Sequence, residues 1–199
     1  MIVYIDRQHT GKPNRPSDRG AGVDVDGNGK IETWENEAHW TGYLAVMLES
    51  RLVLHEDIQV IPIQDGTYLA RHSRVNEYSK MFKDEKQVYL ALHLNAGGGN
   101  YGSMFYHHDS QQGRSLATYI CEGLGNYCSE IPTFKAIPAT SEDWTNHAFN
   151  TIKGVGRPVA ICCEPLFMDT HKRFISMDGF GRVALGITTG ILNWRNSNV

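Results

Sequence analysis

Short apolar runs, each stopping at a polar or loop-forming residue, alternate along this chain with stretches whose apolar residues recur every three or four positions, and that alternation leaves few folds open. Residues 3–6, 58–63, 88–94, 103–106 and 159–163 read as strands, being short, apolar and bounded by turn chemistry. Residues 34–54, 68–82, 111–127 and 180–194 read as helices; in the last, Val183, Ile187, Ile191 and Trp194 fall on one face. The run Val159-Ala160-Ile161-Cys162-Cys163 is apolar throughout, as expected of a strand buried on both faces. The pattern predicts an α/β fold: a single domain over residues 1–199, with a mostly parallel, twisted central sheet and helices on both faces. A length of 199 residues with 41% hydrophobic positions suffices for one such core.

Charge removes several classes of function. The formal net charge is −3 and no cluster of five or more Lys/Arg occurs, so neither nucleic acid nor a membrane surface is expected as a partner. No apolar stretch approaches the roughly 20 residues that span a bilayer. The opening Met1-Ile2-Val3-Tyr4-Ile5-Asp6 has no basic leader, long apolar run or small-residue cleavage site, so synthesis in the cytoplasm without the standard export signal is expected. Cys121 and Cys128 stand two turns, about 10.5 Å, apart on a predicted helix, too far for a disulfide. Adjacent Cys162 and Cys163 should point to opposite faces of a strand. All four cysteines are expected to be reduced.

Three residues capable of metal binding or acid–base chemistry stand where predicted strands stop: His9, His93 and Glu164. In open α/β sheets ligands bind in the crevice beyond the carboxyl ends of the strands, so topology alone brings these three together. Two imidazoles and a carboxylate leave one position of a tetrahedral Zn²⁺ ion open for water, the arrangement of a hydrolytic site. Glu37, at the start of the first long helix, is the candidate third ligand, and Asn95 is a candidate substrate contact. His39, His55, His72, His107, His108, His147 and His171 read as surface or hydrogen-bonded residues, with the His107-His108 pair able to line the cleft. Trp40, Trp144, Tyr101, Phe105 and Tyr106 could stack on sugars, although core packing is the expected use of most of them.

The loop between the first strand and helix is long and rich in Gly, Pro, Asp and Asn, which calls for a reason. Residues 24–35 fit the twelve-position calcium loop D-x-[DN]-x-[DN]-G-x₅-E, with Gly29 at the sharp turn. Asp24, Asp26, Asn28, the backbone carbonyl of Lys30 and Glu35 are the expected Ca²⁺ ligands, within an insertion spanning about residues 14–35. No helix is expected before Asp24, so this is half an EF-hand at most and its role structural. Glu35 and Glu37 lie two residues apart, roughly 200° around a helix, and should serve different ions.

Asp6-Arg7-Gln8-His9-Thr10-Gly11 resembles the Asp-x-Gly-His-Gly-Gly opening of the zinc N-acetylmuramoyl-L-alanine amidases of the LytC/AmiC type. Glu37-Ala38-His39-Trp40 resembles that family's glutamate-led helix, Leu92-His93-Leu94-Asn95-Ala96 its Ser-x-His-x-Asn-Ala strand end, and residues 158–167 the strand leading into Glu-x-Gly-Phe. The resemblance implies that His9, Glu37 and His93 bind zinc, that Glu164 is catalytic, and that the substrate is peptidoglycan, cut between N-acetylmuramic acid and L-alanine. Arg7-Gln8 in place of Pro-Gly, Leu92 in place of serine and Leu166 in place of glycine depart from the pattern at spacer positions. A phage endolysin acting on the wall after release fits the chain best, followed by an amidase carried on a phage or contractile-injection particle. The rivals are a zinc exopeptidase, against which Lys12 stands where HxxE needs its glutamate, and a non-catalytic calcium-binding interaction module. A Cys163 nucleophile is disfavoured by its apolar surroundings, which raise a thiol pKa.

Overall fold

Side-chain alternation on the strands divides the core in two. The computed structural model describes residues 1–9 and 17–197; the loop expected at residues 10–16, with the start of the 14–35 insertion, lies outside them. Among the described residues six strands form one sheet: β1 (Ile2–Arg7), β2 (Gln59–Ile63), β3 (Gln87–Leu92), β4 (Gly102–His107), β5 (Phe134–Ala139) and β6 (Val159–Glu164). Their order is β2-β1-β3-β6-β4-β5. The pairs β1–β2, β1–β3, β3–β6 and β4–β5 are parallel, and β4–β6 is antiparallel. The mostly parallel α/β sheet expected from the sequence is therefore the one observed.

The α-helices of the described residues that cover it are α1 (Glu37–Leu52), α2 (Tyr68–Met81), α3 (Gln111–Tyr127), α4 (Asn146–Ile152) and α5 (Met177–Asn196). Because strand side chains alternate between faces, Val3, Ile5, Leu90, Leu92, Ile161 and Cys163 share one cluster with the apolar stripes of α1, α3 and α5. Tyr4, Tyr89, Ala91, Phe105 and Cys162 share the other with Val75 of α2 and Ala148 and Ile152 of α4. The adjacent Cys162 and Cys163 thus do face opposite ways, and all four cysteines are free thiols. On the first face, Trp40 of α1 stacks on Phe180 of α5 with ring centroids 4.9 Å apart. Helices α3 and α5 meet through glycines: a Cβ on Gly190 would lie 2.5 Å from the Ile120 Cα, so no larger residue fits that crossing without moving a helix.

Several boundaries differ from the sequence expectation. The helix expected from residue 34 is split: Thr33–Glu35 form a 3₁₀ turn, Asn36 is extended, and α1 starts at Glu37 with the Asn36 side chain accepting from the His39 amide at 3.1 Å. The last helix begins three residues earlier than expected, capped by Ser176 accepting from the Gly179 amide. Strand β5 and helix α4 were not expected at all. Strand β5 is a half-exposed edge strand interrupted by Pro138, and α4 has only 7 residues, so neither carries a clear period.

Candidate functional site

Strands β1, β3 and β6 lie side by side and parallel, so their carboxyl ends open onto one crevice. Glu164 is the last residue of β6, His93 follows the last residue of β3, and His9 comes two residues after β1. A buried charge pair fixes the end of β1. Asp6 and Arg71 are both fully buried, and the Arg71 guanidinium donates to the Asp6 carboxylate, to the Arg7 carbonyl at 2.7 Å and to the Gly66 carbonyl at 3.0 Å. Tyr89 Oη and Gln8 Nε2 donate to Asp6 as well, the latter at 2.7 Å. Anchored in this way, the chain turns at His9, which takes a left-handed φ of 58°. That conformation costs an L-residue on the order of 1–2 kcal/mol, and here it swings the ring towards β3.

The three expected ligands converge. His9 Nε2 lies 3.2 Å from His93 Nδ1 and 3.2 Å from Glu37 Oε1, and His93 Nδ1 lies 2.9 Å from Glu37 Oε1. An ion with bonds of about 2.0–2.1 Å in tetrahedral geometry separates its ligand atoms by roughly 3.3 Å, so the three donors already stand near the spacing Zn²⁺ requires. His9, Glu37 and His93 could hold a metal ion on that geometry. Neighbours fix each ligand. Asp18 Oδ1 lies 2.9 Å from His9 Nδ1, the carboxylate contact that selects the tautomer with a lone pair at Nε2. Glu37 Oε1 accepts from the Leu94 amide and Oε2 from the Ala21 amide, each at 2.9 Å. Burial raises the Glu37 carboxyl, but whenever the His9 and His93 rings carry a proton towards it they outweigh burial and hold the group below the usual carboxylate range.

Gly20 makes that grip possible. It has a left-handed φ of 70°, and a Cβ there would fall 2.3 Å from Glu37 Oε2. Gly20→Ala is therefore expected to displace Glu37 and weaken zinc binding by about 10- to 100-fold, the range typical of lost outer-shell support. Titration calorimetry with Zn²⁺ checks this; unchanged affinity would show that the loop does not position the ligand.

Glu164 is buried beside this cluster and engaged at both oxygens. Asn95 Nδ2 donates to Oε2 at 2.7 Å, and His147 Nε2 lies 3.0 Å from Oε1. The Asn95 amide, expected as a substrate contact, thus binds Glu164. The loops carrying Asn95 and Glu164 are zipped together: Asn95 carbonyl accepts from the Met168 amide at 2.8 Å, and Asp169 Oδ2 accepts from the Gly97 and Gly98 amides, both at 2.8 Å. His147, expected to be a surface or hydrogen-bonded residue, is both, half-exposed and in contact with Glu164; it sits on the unexpected helix α4. The His107-His108 pair is at the wrong end to line the cleft. Strand β4 runs against β6, so Ser103 stands opposite Glu164 and His107 closes the far end. Of the aromatic candidates, Trp40, Phe105 and Tyr106 are core residues, whereas Trp144 is 61% exposed near His147.

No family model matches the sequence, and no curated protein is significantly similar to it. Solved structures do match, end to end. An N-acetylmuramoyl-L-alanine amidase from Clostridium difficile 630 superposes with a TM-score of 0.76 at 20% identity, over 100% of this chain and 98% of that one. The chain has the fold of these amidases. AmiC2 of Nostoc punctiforme, also an N-acetylmuramoyl-L-alanine amidase, gives 0.73 at 16% identity, over 99% and 98% of the two chains. The catalytic domain of the CD27L endolysin targeting Clostridia Difficile gives 0.66 at 19% identity, over 97% of each.

Within this amidase fold the 24–35 loop is folded on its own carboxylates. Asp24 accepts from the amides of Gly27, Asn28 and Gly29 at 2.7, 3.1 and 2.8 Å. Glu35, fully buried, accepts from the Val25 amide at 2.5 Å and the Glu32 amide at 2.9 Å, and its carboxylate lies within 4.8 Å of those of Asp24 and Asp26. Gly27 and Gly29 both have positive φ. Asn36 breaks the helix between Glu35 and Glu37, so one faces this loop and the other the histidines, as expected, though by an extended residue rather than by helical rotation.

Proposed function

We propose that this chain is a zinc-dependent N-acetylmuramoyl-L-alanine amidase, hydrolysing the amide bond between N-acetylmuramic acid and L-alanine in peptidoglycan. The observation that carries the proposal is the spacing of His9 Nε2, Glu37 Oε1 and His93 Nδ1, 2.9–3.2 Å apart, on a fold shared with solved amidases and beside a buried carboxylate. When bound there, zinc supplies the Lewis acidity that polarises an amide carbonyl and acidifies water. Glu164 takes the proton of the attacking water and passes it to the leaving amine nitrogen, general acid–base work suited to a buried, oriented carboxylate. Asn95 Nδ2 aims Glu164 through Oε2, and the half-buried Asn95 remains the proposed substrate contact. Cys163 does not compete for the role of nucleophile: it packs in the α1–α3–α5 core, and burial pushes its thiol well up.

Digestion of purified peptidoglycan tests the reading. New free L-alanine amino termini, lost on chelation and restored by Zn²⁺, are expected; release of free amino acids or no release at all would favour an exopeptidase or a binding module. The likeness to an endolysin catalytic domain supports a phage lysis enzyme reaching the wall after release, with carriage on a phage or injection particle as the second route.

Ca²⁺ in the 24–35 loop completes the proposal, held by Asp24, Asp26, Asn28, the Lys30 carbonyl and Glu35. Its support is the twelve-position motif together with the convergence of Asp24, Asp26 and Glu35. Calcium would brace the turn before Asn36 and so the start of α1 that carries Glu37. Titrating Ca²⁺ should tighten zinc binding in the wild type and not in Asp26→Ala; identical responses would remove calcium from the site.

A further inference from the structure

We propose that His147, in its doubly protonated form, is the clamp that positions Glu164, so that losing one ring proton sets an alkaline limit on hydrolysis; the role rests on the amidase reading above. The case begins with hydrogen counting. His147 Nδ1 lies 3.0 Å from the Trp144 carbonyl oxygen, which can only accept, so Nδ1 carries a hydrogen in that contact. Its Nε2 lies 3.0 Å from Glu164 Oε1. A carboxylate also only accepts, so both contacts are satisfied at once when the ring carries a proton on each nitrogen. A neutral ring must abandon one of them: either Nδ1 faces the carbonyl with a lone pair, or Nε2 faces the carboxylate with one.

The surroundings favour the charged ring. The hydrogen bond to Glu164 lifts the His147 pKa above the usual histidine range, burial acts in the opposite sense, and Glu37 on α1 adds a smaller upward pull. From β4 the neighbour is the uncharged Phe105 ring, its centroid 5.5 Å away. Since the shift is upward, the clamp is fully formed at low pH and is lost as pH rises through that raised value. His147 has 51% of its side chain exposed, so its ring is open to solvent. With Asn95 on Oε2 and the clamp on Oε1, the carboxylate is stopped from rotating. His147 therefore acts through Glu164, as a positioning residue.

The test uses the zinc-loaded protein and peptidoglycan, with kcat and KM followed against pH for the wild type, His147→Ala and His147→Gln. His147→Ala should lower kcat by about tenfold or more with KM unchanged, because a loosened catalytic group is a misplaced one. His147→Gln can still donate to Oε1 but does not titrate; it should restore much of kcat and lack the alkaline fall. Full kcat in His147→Ala, or a wild-type alkaline limb in His147→Gln, overturns the clamp. An NMR titration of the imidazole signals gives a second readout that needs no turnover. The His147 midpoint should drop on Glu164→Gln, and an unmoved midpoint overturns the pairing. A wild type that liberates no amino termini removes the amidase reading and this role with it, whereas an active wild type with pH-indifferent His147 variants removes the role alone.

Discussion

Glu164→Gln is expected to lower kcat on peptidoglycan by about a hundred- to ten-thousand-fold, the usual contribution of a positioned general base. The substitution keeps shape and volume. A glutamine can still accept from Asn95 Nδ2 through its carbonyl oxygen, so the strand end and the zipped loops around it should stay in place. What it cannot do is take a proton from water at neutral pH. Zinc content should be unchanged, because the bonds of Glu164 run to Asn95 and His147 and not to His9, Glu37 or His93. Steady-state kinetics with parallel metal analysis separates the two effects. A Glu164→Gln protein with near-normal kcat would assign the proton transfer to another group, and loss of zinc would place Glu164 among the ligands.

Arg71→Leu should cost about 3–5 kcal/mol of folding stability, as removal of one partner from a buried ion pair does. The size follows from what is left behind. Asp6 is fully buried, and without Arg71 its carboxylate keeps, among the described residues, the side-chain donors Tyr89 and Gln8; the Arg7 and Gly66 carbonyls each lose a hydrogen bond too. For a chain of this length the loss corresponds to a fall in Tm on the order of 10 °C, measurable by calorimetry. Zinc affinity should weaken with it, because Arg71 holds the Arg7 carbonyl two residues before His9. Pairing Arg71→Leu with Asp6→Asn should recover part of the stability, since no unpaired charge then remains. A single variant as stable as the wild type would mean that the pair is solvated and does not brace β1.

The parts of the site that the sequence made legible are those carried by the most buried strands. Strands β3 and β6 are almost wholly apolar, so His93 and Glu164 stood out as polar residues at the ends of apolar runs. Glu37 is legible from its place at the start of the first long helix and from the family motif, and the structure brings it within hydrogen-bond distance of both histidines. The supporting residues left no such trace. Arg71 lies in a helix where a charged residue ordinarily marks the solvent face, yet it is fully buried. Asp18 belongs to a polar loop in which one acidic residue resembles another. His147 was hidden because α4 is too short to show a period and β5 before it is broken by Pro138. Nor could the antiparallel turn of β4 be read from its residues, and it is this reversal that carries His107 away from the crevice.

The two outermost strands, β2 and β5, each contain a proline, Pro62 and Pro138. A strand at a sheet's rim offers unpaired amides to any passing chain, and proline withholds one of them. Neither rim is thus a good template for further pairing. Crowded copies of this chain are therefore not expected to join their sheets edge to edge.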